Sequence, residues 1–297
     1  MKKGFTLIEM AIVLVIIGLI VGSVLVGRDL VSAAMVRATI TQIEKYNQAT
    51  NTFRGKYGSL PGDIKDPAAS NFGFVARGAA TGQGDGNSLI EGAYPSGTTT
   101  HNALFQDEGE TLTFWMDLSK AGLIEGNFTS GSPTSQTATN ITGAQLSQYL
   151  PEAKLGNGNY IYAGELELWN GGTSWLDGTT NYFNLSVVTR LQTGTGLGID
   201  NDSSPGLTVA QARAIDTKMD DGLPQSGAVL ASYASWWASP GAIHVSTTNA
   251  SQGYTTATSP ASNTCYDNQN FGGAIQKYSM SFNGGAGVNC GLIFKFQ

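Results

Sequence analysis

A single carboxylate, Glu9, stands at the start of the longest apolar segment of the 297-residue chain. From Met10 to Gly27 no residue is charged, and only Ser23 is polar. A charged side chain within a membrane-spanning helix costs about 2.5 to 3.5 kcal/mol on insertion scales, so a carboxylate kept in such a segment indicates a partner.

The two cysteines, Cys265 and Cys290, lie close to the carboxyl end. In an oxidising compartment this separation favours a disulfide, which would close a loop of about 26 residues and stabilise the fold by roughly 3 to 4 kcal/mol in the chain-entropy model. Two reduced, buried thiols are the alternative. Neither cysteine belongs to a CxxC pair or to a zinc-binding pattern.

Other residues with chemical potential are few. His101 and His244 lie neither beside a cysteine nor in an HExxH arrangement, and no GxSxG sequence occurs, so the sequence predicts no enzyme. Asp216, Asp220 and Asp221 precede Gly222 and offer oxygen ligands for calcium, as does the segment 200–204. Turn chemistry is the favoured interpretation in both places, and no cofactor or metal is predicted.

The apolar segment itself is long enough to cross a bilayer. A helix from Phe5 to Gly27 would measure roughly 35 Å against a hydrocarbon core of about 30 Å. Lys2 and Lys3 precede it, and Arg28 with Asp29 follows, so the amino end is expected in the cytoplasm.

Two other interpretations of this segment are weaker. A secretory signal peptide has a shorter apolar core that ends in a small-residue cleavage site. Here such a site precedes the core, although Ser32, Ala33 and Ala34 follow it. A plain membrane anchor leaves Glu9 unexplained.

The sequence GFTLIE followed by an apolar helix resembles the type III signal and first helix of the type IV pilin and type II secretion pseudopilin superfamily. The resemblance implies that an inner-membrane prepilin peptidase cuts between Gly4 and Phe5 and methylates the new amino group of Phe5. It also implies that Glu9, fifth in the mature chain, neutralises the terminal amine of a neighbouring subunit. That amine is cationic near neutral pH, and a desolvated charge needs an opposite charge nearby.

Further phrases resemble those of large pilin-like proteins: LPGDI at 60–64, WMDLSKAGLIEG at 115–126 and AIDTKMDDGLPQSGAV at 214–229. The carboxyl-terminal cysteine pair resembles the disulfide loop of many type IV pilins. These similarities imply a head larger than that of a typical major pilin.

Composition agrees with an extracytoplasmic, loop-rich β or α+β protein, because charged residues make up 13% of the chain and glycines number 39. Removal of Met1 to Gly4 takes two of the 16 cationic residues, so the mature balance is 14 minus 22, or −8. A basic surface for nucleic acid is therefore not indicated, and no clear nucleic-acid site is predicted.

Local patterns predict the elements of the chain. The first helix is expected to continue to about Phe53 with one apolar stripe, and to end at Gly55, Gly58 and the LPGDI segment. The remaining predicted elements are helices at 110–121 and 207–219, the second capped by Thr208; strands at 160–169 and 182–191; a terminal hairpin of 276–282 and 288–296; and loops at 66–106, 127–143 and 246–263.

Together these observations predict a pilin-like α+β fold, in which a long amino-terminal helix packs on an antiparallel β-sheet head with long polar loops. The expected divisions are a leader at 1–4, a transmembrane part at 5–27, an amphipathic part at 28–57 and a head at 58–297. The expected partners are prepilin peptidase, other pilin subunits, the inner membrane and the assembly machinery.

The expected function is that of a structural subunit of a type IV pilus or related filament, held in the inner membrane with its head in the periplasm before assembly. A pseudopilin of a type II secretion system is the first alternative. A minor pilin that displays an adhesive or DNA-uptake head is the second, and Trp236 and Trp237 are candidates for a glycan-binding surface.

Overall fold

The computed structural model describes residues 6–92, 109–134, 141–165, 179–191, 201–235, 242–244, 261–271 and 274–296. These residues form a long helix and an antiparallel β-sheet head, so the predicted α+β pilin-like fold is confirmed. Gly4, Phe5, His101, Trp236 and Trp237 lie outside the described residues.

The first helix, α1, runs from Leu7 to Tyr57 and contains 51 residues. At 1.5 Å per residue it is about 77 Å long. It begins at Thr6, the N-cap, and ends at Gly58, whose φ of 77° is the left-handed conformation that glycine adopts without steric cost. The end is four residues beyond the predicted one, and Gly55 lies inside the helix instead of ending it.

The two halves of α1 have different surroundings. In the second half one stripe is buried against the head: Val36, Thr39, Gln42, Ile43, Tyr46, Ala49, Thr50 and Phe53. Spacings of three and four place these residues on one face of a helix, so the sequence pattern and the packing agree. In the first half the large apolar side chains from Leu7 to Val26 are exposed.

The other helices are short. They are α2 (Ala68–Asn71), α3 (Glu110–Lys120) and α4 (Val209–Met219), with 3₁₀ turns at Gly143–Gln148 and Asn283–Gly285. Both predicted helices of the head are confirmed, α3 within one residue of its expected end. Thr208 caps α4 as predicted, because its side chain accepts the Gln211 N–H and Gln211 reaches back to the Thr208 N–H.

The described strands number ten: β1 (Ile141–Thr142), β2 (Asn159–Glu165), β3 (Asn181–Leu191), β4 (Asn201–Ser204), β5 (Leu207–Thr208), β6 (Val229–Ser235), β7 (Ala242–His244), β8 (Tyr266–Asp267), β9 (Lys277–Tyr278) and β10 (Val288–Lys295). Eight of them form one antiparallel sheet around β3 and β10. On one side of β3 lie β1 and β2, and on the other lie β4 and β10. Beyond β10 come β5, β6 and β7.

The predicted terminal hairpin is wrong. β9 pairs with β8, whereas β10 pairs with β3 on one side and β6 on the other, with Leu292 opposite Leu185 and Ala231. The physical reason is the run Cys290 to Phe294, in which every residue is buried. Such a run needs a neighbouring strand on each side, which a two-stranded hairpin does not provide.

The core lies where α1, α3 and the sheet meet. Trp115 of α3 is fully buried, with its ring centroid 5.1 Å from that of Tyr46 on α1. Phe183 of β3 stacks on Phe296 at 4.1 Å. Aromatic side chains bury the largest apolar areas, so this cluster fixes the second half of α1 to the sheet.

The disulfide between Cys265 and Cys290 joins the segment before β8 to the centre of the sheet, and both residues are buried. We expect replacement of both cysteines by alanine to lower the free energy of unfolding by roughly 3 to 4 kcal/mol, because the bond limits the unfolded chain. Urea denaturation of oxidised and double-variant protein measures the difference. A change below about 1 kcal/mol would contradict the prediction, since deletion of two buried sulfur atoms adds its own cost.

Candidate functional site

The amino-terminal candidate site is a capping box at the start of α1. The Glu9 carboxylate accepts hydrogen bonds from both the backbone N–H and the hydroxyl of Thr6, each at 2.7 Å, and the Glu9 N–H donates to Thr6 Oγ1 at 3.3 Å. An acidic residue in the first turn also faces the positive end of the helix dipole. Glu9 is therefore exposed and held at the helix terminus by contacts within a single chain.

Gly4 and Phe5, the predicted cleavage position, are outside the described residues. Their sequence positions still limit the distance along the chain, because Phe5 directly precedes the N-cap Thr6. The predicted cut would thus create a new amino terminus one residue before the capping box.

The surface that surrounds Glu9 is apolar. Among the described residues, α1 is the helix with the length and composition to cross a membrane, and its apolar half is exposed. Along it, a Cβ added at Gly18 or Gly22 would meet no atom within 4 Å. Small residues of this kind allow close approach of a second helix in lipid.

A second group of ionisable side chains, which no sequence pattern predicted, lies at the other end of α1. Asp63 accepts the backbone N–H groups of Gly86 and Ser88, at 2.6 and 2.8 Å. Glu110, the first residue of α3, accepts those of Gly84, Asp85 and Glu91. Both carboxyl groups are buried beneath the segment 84–91, which wraps round them.

The prediction of a surface loop at 66–106 is therefore wrong for part of the segment. Ile90 and Glu91 are buried, and Ile90 donates its N–H to the side chain of Asn181 on β3. Residues 93–106 lie outside the described part. Within the predicted loop at 127–143, Phe128 is likewise buried, 6.4 Å from Trp115 between ring centroids. Polar composition indicated exposure, but backbone N–H groups need partners, and buried carboxylates supply them here.

The same region contains a buried ion pair. Arg77 Nη2 donates to Asp117 Oδ2 at 2.6 Å, and that oxygen also accepts the Gly62 N–H at 2.7 Å. Both side chains are excluded from solvent. The pair joins the segment after α2 and the LPGDI segment to α3.

Burial dominates the electrostatics of this group. It raises the pKa of Asp63 to about 6, against the lowering effect of the hydrogen bonds from Ser88 and Gly86. Burial, followed by the negative charge of Asp63, raises the pKa of Glu110 well above its ordinary value. Burial also raises the pKa of Asp117, although Arg77 opposes the shift. Ionisation of these acids therefore costs more in the folded chain than in the unfolded chain.

We expect the head to become less stable as pH rises from about 4 to about 6. The folded pKa of Asp63 lies above the unfolded value of 3.8, so its neutral form is favoured on folding and the penalty is complete above about pH 6. This difference between the folded and the unfolded pKa of Asp63 lowers the free energy of unfolding by up to about 3 kcal/mol. Glu110 and Asp216 act in the same direction, while Asp66, whose pKa is lowered by the Ser70 hydroxyl, acts in the opposite direction.

Urea denaturation between pH 4 and 7 measures this dependence. Asp63→Asn is expected to reduce the decrease in stability between pH 4 and 6, whereas Glu125→Gln, at an exposed carboxyl of the head, serves as the matched control and is expected to leave it unchanged. An Asp63→Asn variant with the full decrease would show that Asp63 is not its source.

Asp63, Asp85 and Glu110 bring ligand oxygens within 4.8 Å of one another, which is the donor set that calcium prefers. The oxygens of Asp63 and Glu110 already accept the N–H groups described above. Within the chain, the carboxyl groups of Asp63 and Glu110 fix the segment 84–91 by accepting its backbone N–H groups.

The predicted acidic group before Gly222 is brought together. The oxygens of Asp216, Asp220 and Asp221 also lie within 4.8 Å of one another. Asp216 accepts the Gly222 N–H and the Tyr278 hydroxyl. Asp220 accepts the backbone N–H groups of Ala228 and Val229. Asp221 accepts the N–H of Leu223 and the hydroxyl of Ser226. These bonds agree with the turn interpretation.

Both interpretations of the segment 200–204, as a turn and as a calcium-binding loop, are wrong. Asn201 to Ser204 form strand β4 and pair with β3. His244 lies in β7, opposite Tyr233. Neither segment adds a described side chain to a candidate site.

A single long helix, apolar and exposed in its first half and packed on an antiparallel head in its second, has the architecture of a pilin-like fold, and its apolar half suggests membrane anchoring. A family model described as the prokaryotic N-terminal methylation motif matches residues 1–25. This motif is the prepilin signal of type IV pilins and pseudopilins, so the amino-terminal segment carries the kind of signal that a prepilin peptidase recognises. No curated protein and no solved structure matches the chain.

Proposed function

We propose that the protein is a structural subunit, a pilin or minor pilin, of a type IV pilus or related filament. Its mechanism is assembly instead of catalysis. The methylation motif over residues 1–25 carries the proposal, since it combines a processing signal with an apolar helix. The carboxyl-terminal disulfide, which resembles that of many pilins, favours a pilus over the secretion pseudopilin alternative.

In this proposal the leader is residues 1–4, and residues 5–27 cross the inner membrane. Residues 28–57 join the span to a head of residues 58–297 that faces the periplasm. The break in burial along α1 supports these divisions, because side chains from Leu7 to Val26 are exposed and the stripe from Val36 to Phe53 is covered.

Glu9 is the proposed assembly residue. Processing exposes a cationic amine on Phe5, and assembly moves that amine into the apolar bundle of helices, where an unpaired charge costs several kcal/mol. Among the described residues of the single chain, Glu9 accepts hydrogen bonds from the backbone N–H and the hydroxyl of Thr6. Its exposed carboxylate leaves lone pairs for an ammonium group of a neighbouring copy.

Mass spectrometry of protein recovered from its own cells tests the processing step. We expect a chain that begins at Phe5 with one methyl group on its amine and retains Cys265 bonded to Cys290. The same chain expressed without prepilin peptidase is the control and should keep Met1 or its formylated form. A mature chain that begins after the apolar segment would contradict the proposal and support a secretory signal peptide.

A further inference from the structure

The start of α4 is fixed to α1 just beyond the apolar segment. Gln211 Nε2 donates to Ser32 Oγ at 3.3 Å, and Gln211 also closes the capping box with Thr208. Val36 and Thr39, the next inward residues of α1, are buried. The position of Ser32 along α1 therefore sets the level of the first turn of α4.

Two exposed apolar side chains lie beside this first turn. Val288 of β10 pairs with Thr208. Gly285 also lies close to the start of α4, because a Cβ atom built on this glycine would be 3.0 Å from the backbone nitrogen of Ala210. The Gly285 N–H donates to the carbonyl of Phe282 at 2.9 Å. Phe282 is 39% exposed and Val288 is 55% exposed. We call the end of the head formed by residues 205–213 and 282–288 the membrane-proximal end.

The distance from the apolar segment to this end is short. Ser32 lies five residues beyond Gly27, which is about 7.5 Å along a helix. The polar headgroup layer on each side of a bilayer is roughly 5 to 7 Å thick. With the uncharged segment in the hydrocarbon, Ser32 and the first turn of α4 that it contacts lie at the outer edge of the headgroup layer, and Val288 lies beside that turn through its pairing with Thr208.

The charges at this level differ in sign from those of the whole chain. The membrane-proximal end and residues 28–32 of α1 carry Arg28 and Arg213 against Asp29, a balance of +1, and all three are exposed. The mature chain has a balance of −8. A cation close to an anionic membrane surface contributes about 1 kcal/mol, and the contribution falls off within a Debye length.

We propose that the membrane-proximal end of the head lies on the bilayer before assembly, with Phe282 and Val288 among anionic phospholipid headgroups. The arginines face the lipid phosphates, and the apolar side chains enter the interface, where such residues are favoured. The inference rests on the proposed membrane anchoring, because α1 is the tether that brings this end to the surface. The contact would hold the subunit upright until assembly lifts it out.

Spin labels in the full-length protein test the contact. Val288→Cys is the test position. Val75→Cys, 43% exposed, is the matched control at the other end of the head, since its neighbour Phe74 packs on Phe53 and Tyr57 at 5.4 and 5.0 Å. Leu19→Cys, within the apolar segment, reports the anchor. Each variant is labelled without reductant, placed one copy per nanodisc of phosphatidylcholine and phosphatidylglycerol, and probed by electron paramagnetic resonance with oxygen and a water-soluble nickel complex.

We expect the Leu19 label to be protected from nickel, and the Val288 label to be several-fold less accessible to nickel than the Val75 label. If the Leu19 label is accessible to nickel, the anchoring itself fails. If the Leu19 label is protected and the Val288 label is as accessible as the Val75 label, the surface contact is refuted while the anchoring stands. Protection of Val288 that arises only with two or more copies per nanodisc would assign the surface to a neighbouring subunit and also refute the lipid contact.

The lipid charge is tested separately. Arg213→Gln, or nanodiscs of phosphatidylcholine alone, should raise the nickel accessibility of the Val288 label toward that of the Val75 label. Unchanged accessibility in both cases would overturn the role of anionic headgroups.

Discussion

Replacing Glu9 by alanine is expected to leave membrane insertion intact and to abolish incorporation into filaments. The substitution removes a carboxylate from the apolar segment, and a charged side chain there opposes insertion, so the anchor is not weakened. It also leaves the new amine of Phe5 without a proposed counter-ion in the helix bundle. Immunoblots of the membrane fraction and of sheared filaments, from cells that express each variant, measure the two steps.

The capping box makes a sharper test available, because Glu9 has two separable roles. Glu9→Gln keeps an acceptor for the Thr6 N–H but removes the charge, whereas Thr6→Ala removes the hydroxyl of the cap and keeps the charge. If charge pairing drives assembly, Glu9→Gln fails and Thr6→Ala assembles. Capping contributes only about 1 kcal/mol, so the reverse result would assign Glu9 to helix capping and refute the pairing with a neighbouring amine.

Helices and their caps could be predicted, because they depend on residues that are close in sequence. The stripe from Val36 to Phe53 follows from helical periodicity, and the cap of α4 follows from Thr208 and Gln211 at capping-box spacing. Strand partners are set by distant contacts. Leu292 pairs with Leu185, which no turn signal near the carboxyl end indicates. The hairpin inference used a turn at Asn283–Gly285 that does exist, but it assigned β10 the wrong partner.

The buried ionic group was missed for a different reason. Glycine and polar side chains in 66–92 indicate exposure on average, and burial of a carboxylate opposes its charge. One local signal was nevertheless present. Glu110, Phe114 and Asp117 are spaced by four and three residues, which places two acids on the same face of α3 as a core aromatic. An acidic residue on the apolar face of a helix indicates a buried partner, here Arg77 for Asp117.

Replacing Asp117 by alanine is expected to lower the free energy of unfolding of the head by about 3 to 5 kcal/mol. The substitution leaves the Arg77 guanidinium buried without its carboxylate, and it leaves the Gly62 N–H without the oxygen that accepts it at 2.7 Å. Urea denaturation followed by tryptophan fluorescence is the measurement, because Trp115 lies in the same helix.

A double-mutant cycle separates the unpaired charge from the loss of packing. Arg77→Met together with Asp117→Ala removes both charges, so the double variant is expected to be more stable than Asp117→Ala alone, even though it loses a second native side chain. The Gly62 N–H is unsatisfied in both variants and cancels in that comparison. The contradicting result is additivity, in which Arg77→Met lowers the free energy of unfolding as much in the Asp117→Ala background as it does alone. The destabilisation by Asp117→Ala would then come from lost packing and from the lost Gly62 hydrogen bond. The buried pair would then have no share in holding LPGDI and the segment after α2 against α3.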